Sequence, residues 1–281
     1  MQHYTILYNP LSDNGQGEAH AKVLTGLLEG NDLRFVDLTK NTDIKTIINS
    51  LQADDKLVIS GGDGTLNRFL NDTDGMEIQN EVYFFSAGTG NDFLSSVGVE
   101  KGNLVPINQF FGKLPTVTVN GRDYKFINGV GYGIDGYCCE VGDEMREKSD
   151  KPINYTSIAI KGLLFHFKPV NATVTVDGKT EKFSNVWLAP TMFGRFYGGG
   201  MIPTPEQNRE DGTVSTMVYH NCGKLKALTV FPNIFKGEHV KEEKIVKIFK
   251  GHSVTVEFNR PTALQIDGET IKNVTSYSVN I

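Results

Sequence analysis

Leu57-Val-Ile-Ser-Gly-Gly-Asp-Gly-Thr-Leu-Asn67 decides how this chain folds. The apolar run Leu57–Ser60 stops at a glycine pair, and a helix starts directly after the loop Gly61–Thr65, so the stretch reads as buried strand, tight loop, helix. The design returns at Val82–Phe85, a second apolar run, followed by Ser86-Ala-Gly-Thr-Gly-Asn-Asp-Phe93. Upstream, Thr5–Asn9 leads through a loop with Gly15 and Gly17 into Glu18–Gly30, where Ala19, Val23, Leu27 and Leu28 recur at helical spacing. Leu33–Leu38 predicts a strand, and Asp43–Leu51 a helix with Ile44, Ile47, Ile48 and Leu51 on one face. Strands alternating with helices predict an α/β, doubly wound parallel sheet, whose strand carboxyl ends carry the ligand loops.

The rhythm changes near residue 115. The segments 116–121, 172–183, 212–219 and 252–258 alternate apolar and polar residues and include turn dipeptides such as Asp177-Gly178. They predict an antiparallel, β-sandwich-like second domain with helical inserts near Asn154–Phe167 and Lys224–Phe235. The expected division is 1–118 for a nucleotide-binding domain and 119–281 for a substrate domain, the final strand being free to return to the first. With no Pro- or Ser-rich linker, the cleft between the domains is the expected ligand site.

Composition narrows the function. With 39% hydrophobic and 22% charged residues, the 281-residue chain can bury a core and is not disordered. A net charge of −5 disfavours a broad nucleic-acid face. Three cysteines, with Cys138 and Cys139 adjacent, form neither a disulfide framework nor a zinc pair. The N-terminus lacks a secretion signal and no apolar run reaches membrane-spanning length, so a cytoplasmic protein is expected. Glycine stands out at 30 residues, which means many turns or close backbone approaches.

The glycine loops are candidates for holding phosphate. In Gly61–Thr65, successive backbone N–H groups can turn toward one anion at a helix start. Asp63 does not attract phosphate, so either a cation or water network intervenes, or the loop is a plain strand-to-helix turn with Asp63 as its N-cap. The loop at Ala87–Phe93 and the loop after Asn9-Pro10 would lie along the same sheet edge. Gly131-Tyr-Gly-Ile-Asp-Gly136 matches a dinucleotide fingerprint, but it falls where the β rhythm begins and is not expected to hold a dinucleotide. There is no G-x-x-x-x-G-K-[ST] motif.

Gly61-Gly-Asp-Gly-Thr65 with Gly88-Thr-Gly-Asn-Asp-Phe93 resembles the diacylglycerol kinase catalytic-domain family, which includes bacterial lipid kinases and sphingosine and ceramide kinases. Asn128–Asp135, Phe193–Met201 with Asp211-Gly212, Lys236–His239 and Gln265–Glu269 resemble further family segments in the expected order. The resemblance implies an ATP- and Mg2+-dependent lipid kinase that phosphorylates the hydroxyl of diacylglycerol or a related lipid to give phosphatidic acid or an analogue. It implies nucleotide contacts at Asn9, Thr39, Gly61, Gly62, Asp63, Gly64, Thr65, Leu66, Asn67 and Thr89. It also implies that Asp63, Asp92 and Asp135 support magnesium near the phosphates. A separate structural magnesium would use the Asp211 side chain with the carbonyls of Asn208 and Thr213. Glu269 is the implied catalytic base, with Asp267 its rival; read alone, the same residues form an ordinary hairpin turn.

Some positions depart from the family pattern. Arg68 stands where an acidic residue is usual, Ser86-Ala87 precedes the second glycine loop, and Asn208-Arg209-Glu210 precedes Asp211. A lipid kinase must visit a bilayer surface, and the lysines of 223–253, Lys241, Lys244 and Lys247 among them, are candidates for a peripheral membrane face or simply a solvated one. Homodimers are frequent in the family, so a homodimer is an expected partner. Two other functions fit parts of the pattern: an NAD kinase-like enzyme with a soluble substrate, and a non-catalytic lipid- or nucleotide-binding regulator, for which Arg68 speaks.

Overall fold

A computed structural model describes residues 1–40, 43–86, 91–148 and 154–281. The chain divides between Leu114 and Pro115 into two compact units.

In the first unit, β1 (His3–Tyr8), β2 (Asp32–Asp37), β3 (Lys56–Gly61), β4 (Val82–Ser86) and β5 (Leu104–Pro106) form one sheet in the order β2-β1-β3-β4-β5. All pairings are parallel except that of β5 with β4. Both faces are covered, which explains the near-continuous apolar strands. Ile6, Tyr8, Val58 and Phe85 pack with Ala21, Leu24 and Leu28. The alternate residues Leu7, Leu57, Ile59 and Phe84 are also fully buried. Phe84 meets Phe93 edge-on at 5.8 Å, and Phe93 meets Phe110 at 5.3 Å.

A short α1 (Ser12–Gly15) lies in the expected loop, and the helix expected over 18–30 is broken into α2 (Gly17–Lys22) and α3 (Leu24–Leu27). Then come α4 (Ile44–Ser50), α5 (Asp63–Asp72) and α6 (Asp92–Val97). Asp43 caps α4 by accepting from the Lys45 N–H at 3.1 Å. Because β2 lies on one side of β1 and β3 on the other, the loops after β1 and β3 leave a switch point, where open α/β sheets bind ligands.

The second unit is built on β6 (Thr116–Val119), β7 (Arg122–Lys125), β8 (Gly129–Tyr132), β9 (Val170–Val176), β10 (Lys179–Val186), β11 (Thr191–Met192), β12 (Val214–Tyr219), β13 (Val246–Gly251), β14 (Ser253–Ile266) and β15 (Glu269–Asn280). Every pairing is antiparallel. The long β14 organises it: β15 runs along its length, β9 takes its first half and β8 its last three residues. The final strand pairs with β14 and β6, so its return to the first domain, left open by the sequence, does not occur.

One helix here, α7 (Ile134–Lys148), has no counterpart among the expected elements; it comes directly after β8. The expected inserts are present as α8 (Tyr155–Lys161) with a wide turn over Gly162–His166, and as α9 (Lys224–Val230) with a tighter helical turn after it. Ile134, Cys138, Ile158, Leu163, Trp187 and Ala227 belong to one core cluster, so α7, α8 and α9 all pack onto the sheet.

Elsewhere in this unit the core contains hydroxyls that are satisfied internally. The Tyr277 hydroxyl lies 2.8 Å from Thr191 Oγ1 and donates to the Ala189 carbonyl at 3.0 Å. Thr191 Oγ1 in turn lies 2.7 Å from Thr216 Oγ1. Tyr277→Phe keeps the ring but strands these partners, and should cost about 1–3 kcal/mol in urea unfolding with an unchanged m-value.

Candidate functional site

The carboxyl ends of β1 and β3 bring Asn9 to the glycine loop. The Asn9 side-chain amide donates to Thr65 Oγ1 at 3.3 Å, and its Oδ1 accepts from the Leu11 N–H at 3.0 Å. Ser12 Oγ lies 3.5 Å from the same threonine hydroxyl. Gly61 is required by close approach: a Cβ there would stand 2.4 Å from Thr65 Oγ1. Gly62 is the N-cap of α5, so Asp63 is the first residue of the helix and not its cap.

Asp63 is instead used across the loop. Its Oδ2 accepts from the Asp92 N–H at 2.9 Å and its Oδ1 from the Phe93 N–H at 3.4 Å. These are the first two amides of α6, which lack intrahelical partners and carry partial positive charge. An acid inside a candidate phosphate loop is thereby explained without a cation. It ties the loop after β3 to the helix after β4.

The other positions on this edge separate. Asn67 is buried and accepts from the Asn71 side-chain amide at 3.2 Å. Leu66 is fully buried and its N–H donates to the Gly62 carbonyl at 3.1 Å, so it supports the helix from within. Thr39 lies apart, after β2, where its N–H and hydroxyl both donate to Asp37 Oδ1, at 2.8 and 2.6 Å. The Thr39 hydroxyl, then its amide, hold the Asp37 carboxyl below its ordinary range. Thr89 lies outside the described residues. Arg68 is 73% exposed and pairs with Asp72 one turn along α5 at 3.5 Å.

In the second unit, the turn between β14 and β15 distinguishes its two carboxylates. Asp267 accepts from three backbone N–H groups: Ile127 at 2.6 Å, Asn128 at 2.9 Å and Gly129 at 2.9 Å. Its own N–H donates to the Gly129 carbonyl at 3.1 Å. Asp267 is thus an anchor, fastening the turn to the start of β8. Glu269, two residues on, opens β15 with an exposed side chain that no described residue bonds. Of the two, Glu269 is the one available to take a proton.

Gln265 was not singled out by sequence. It is buried, with its amide oxygen accepting from the Gly268 N–H at 2.6 Å and its amide nitrogen donating to Asp135 Oδ2 at 2.9 Å. Asp135 on α7 is therefore braced against the same turn. Gly131 makes room for it, since a Cβ at that position would overlap Asp135 Oδ2. The fingerprint glycines of 131–136 thus serve packing in an antiparallel sheet. No local pattern marks Gln265, because Asp135 lies 130 residues away.

The residues implied for a structural magnesium at Asp211 make contacts within the protein. The carbonyls of Asn208 and Thr213 both accept from Gln207 Nε2, at 3.3 and 2.8 Å. The Asp211 carboxylate is paired with the Lys250 ammonium and accepts from the Asn208 side-chain amide at 3.0 Å. An internal ammonium and a buried amide are thus the partners of these groups in the unliganded chain. Among the described residues, no group of three acidic, histidine or cysteine side chains is placed to hold a metal.

Stability measurements can check this geometry. Asp267→Asn leaves one acceptor oxygen for three N–H groups and should cost about 1–3 kcal/mol in thermal unfolding. Glu269→Gln should stay within about 0.5 kcal/mol of the parent in the same measurement. Removing divalent ions with EDTA should leave the melting temperature of the unliganded chain unchanged, as a calorimetric scan with and without magnesium would show.

Comparison with known proteins matches two domain types along the chain. Residues 3–117 match the diacylglycerol kinase catalytic domain, and residues 128–279 match the YegS C-terminal NAD kinase beta sandwich-like domain. A diacylglycerol kinase of Mycobacterium tuberculosis (strain ATCC 25618 / H37Rv) is 26% identical over 253 residues, covering 86% of this chain and 81% of its own. A diacylglycerol kinase of Bacillus subtilis (strain 168) is 23% identical over 227 residues, covering 78% and 73%. The crystal structure of a diacylglycerol kinase from Bacillus anthracis str. Sterne shares the fold, with a TM-score of 0.65 and 21% identity over 99% of this chain and 93% of that one. With both domain types matched in sequence along nearly its whole length, the chain belongs to the diacylglycerol kinase catalytic-domain family of lipid kinases.

Proposed function

We propose that this protein transfers the γ-phosphoryl group of ATP to the free hydroxyl of a diacylglycerol, giving phosphatidic acid and ADP. The observation that carries the reading is the contrast inside one turn: Asp267 is consumed by backbone N–H groups, while Glu269 is exposed and unbonded. Such a pair supplies a fixed frame and one free carboxylate, which is what phosphoryl transfer asks of a protein on the acceptor side. Glu269 accepts the hydroxyl proton as the acceptor oxygen bonds to the γ-phosphorus and the bond to the β,γ-bridging oxygen breaks.

On the donor side, the reading uses Asn9, Gly61, Gly62, Gly64, Thr65 and the loop containing Thr89 for the nucleotide phosphates. It is supported by the glycine loop's place at the switch point of a parallel sheet. Asn67 and Leu66 hold the helix start from below, and Thr39 is a further nucleotide contact in this reading. Magnesium bound with the nucleotide would neutralise triphosphate charge, with Asp63, Asp92 and Asp135 nearest in role. The Asp63 and Asp135 carboxylates already accept protein hydrogen bonds, so they would act on it through ordered loops or water. The substrate being a membrane lipid, the protein works as a peripheral enzyme at the bilayer surface.

The test is turnover with labelled ATP and magnesium on a lipid panel in mixed micelles, with NAD as a parallel acceptor. Labelled phosphatidic acid is expected, and Glu269→Gln should lower kcat by about 10²–10⁴-fold with little change in KM. A Glu269→Gln variant as active as the parent would overturn the assignment of the base. Label in NADP and none in lipid would overturn the acceptor class.

A further inference from the structure

Two segments of the second unit leave large apolar side chains in solvent. Phe165 in the wide turn after α8 is 71% exposed, Ile160 on α8 is 43% exposed, and Leu225 at the start of α9 is 78% exposed. They belong to one surface. Lys224 donates to the Leu164 carbonyl at 2.8 Å, and α9 packs on the wide turn. Beneath them Ile158, Ala159, Leu163, Ala227 and Val230 share one buried core, so the inner faces are anchored and the outer faces are free. The wide turn closes with the Phe167 N–H donating to the Gly162 carbonyl, five residues back, at 2.8 Å.

Charge identifies the occupant. Residues 154–170 contain Lys161 and Lys168 and no Asp or Glu; residues 220–230 contain Lys224 and Lys226 and again no Asp or Glu. Two acid-free segments meet on a protein whose net charge is −5. Lys161 and Lys168 are exposed and form no ion pair among the described residues, whereas Lys226 pairs with Glu242 at 2.8 Å. The lysines of 241–250 behave differently. Lys241 pairs with Glu238, Lys247 with Glu181 and Lys250 with Asp211, leaving only Lys244 of that run outside an ion pair among the described residues.

We infer that the Phe165–Leu225 tip, flanked by Lys161 and Lys168, is the surface through which this protein docks on an anionic lipid bilayer. This rests on the lipid-kinase reading, since it is the reading that calls for a bilayer. Phe165, Leu225 and Ile160 enter the headgroup boundary while the lysines lie level with the phosphates, the arrangement of an interfacial anchor. Lys241, Lys247 and Lys250 have their charge matched within the fold and stay off the membrane.

The experiment is co-sedimentation of the full chain with phosphatidylcholine vesicles containing phosphatidylglycerol, beside turnover on dihexanoylglycerol below its micelle concentration. Phe165→Ser with Leu225→Ser should lower the bound fraction's partition coefficient roughly ten-fold or more. Lys161→Ala with Lys168→Ala should lower it roughly 25-fold, about five-fold for each lysine, and only where the vesicles are anionic. Both pairs should keep full turnover on the monomeric substrate and an unchanged melting temperature. Lys241→Ala with Lys247→Ala should bind like the parent. Vesicle binding indifferent to both tip pairs, or no binding by the parent, overturns the surface even where the soluble lipid is phosphorylated. A parent dimer that the Phe165/Leu225 pair makes monomeric, with vesicle binding unchanged, also overturns it and gives the face to a second copy. Tip-dependent binding with no lipid phosphorylated at all supports the surface and removes the kinase reading.

Discussion

One carboxylate fixes the geometry on which the acceptor side of the proposed reaction depends. Asp267 gathers the N–H groups of Ile127, Asn128 and Gly129 and returns its own N–H to the Gly129 carbonyl. Hydrogen bonds to a charged acceptor are stronger than neutral ones, and three on one carboxylate leave the turn little freedom. In the proposed reaction, Glu269 projects from a frame that does not have to be ordered when substrate arrives. Gln265 extends the frame by joining the Gly268 amide to Asp135 on α7.

The donor side repeats the device with Asp63 on the amides of α6. In both places an acid next to glycines has a structural task that is complete within the protein. What distinguishes a candidate catalytic carboxylate here is the absence of such a task. Glu269 meets that condition; Asp267 and Asp63 do not.

Much of the fold was legible because burial imposes period and length. The strands of the first sheet read as unbroken apolar runs since Ile6 and Leu7, or Val58 and Ile59, are buried toward opposite faces. Helix α7 was not legible, because its inner face is made of small residues and not of a leucine stripe. A Cβ at Gly136 would strike the Ala263 carbonyl, and one at Gly142 the Tyr155 ring, so these glycines permit close packing and look like loop. In the candidate site, the resemblance favoured Glu269 over Asp267, but residue types and spacing alone carried no reason for that order. The groups that occupy Asp267 lie about 140 residues earlier, and no local pattern carries that information. The partner of Asp211 was hidden for the same reason, since Lys250 lies on another strand.

The wide turn at Gly162–His166 bears on how such a surface can change. A turn closed by an i to i+5 hydrogen bond holds one residue more than an α-helical turn. Shortening it by a residue would restore the ordinary ladder and rotate the chain beyond it by about 100°. Leu163 could stay in the core while Phe165 swung off the outer face. A single-residue insertion or deletion here is therefore a rotary adjustment, able to aim or withdraw the aromatic tip without repacking the layer that supports it.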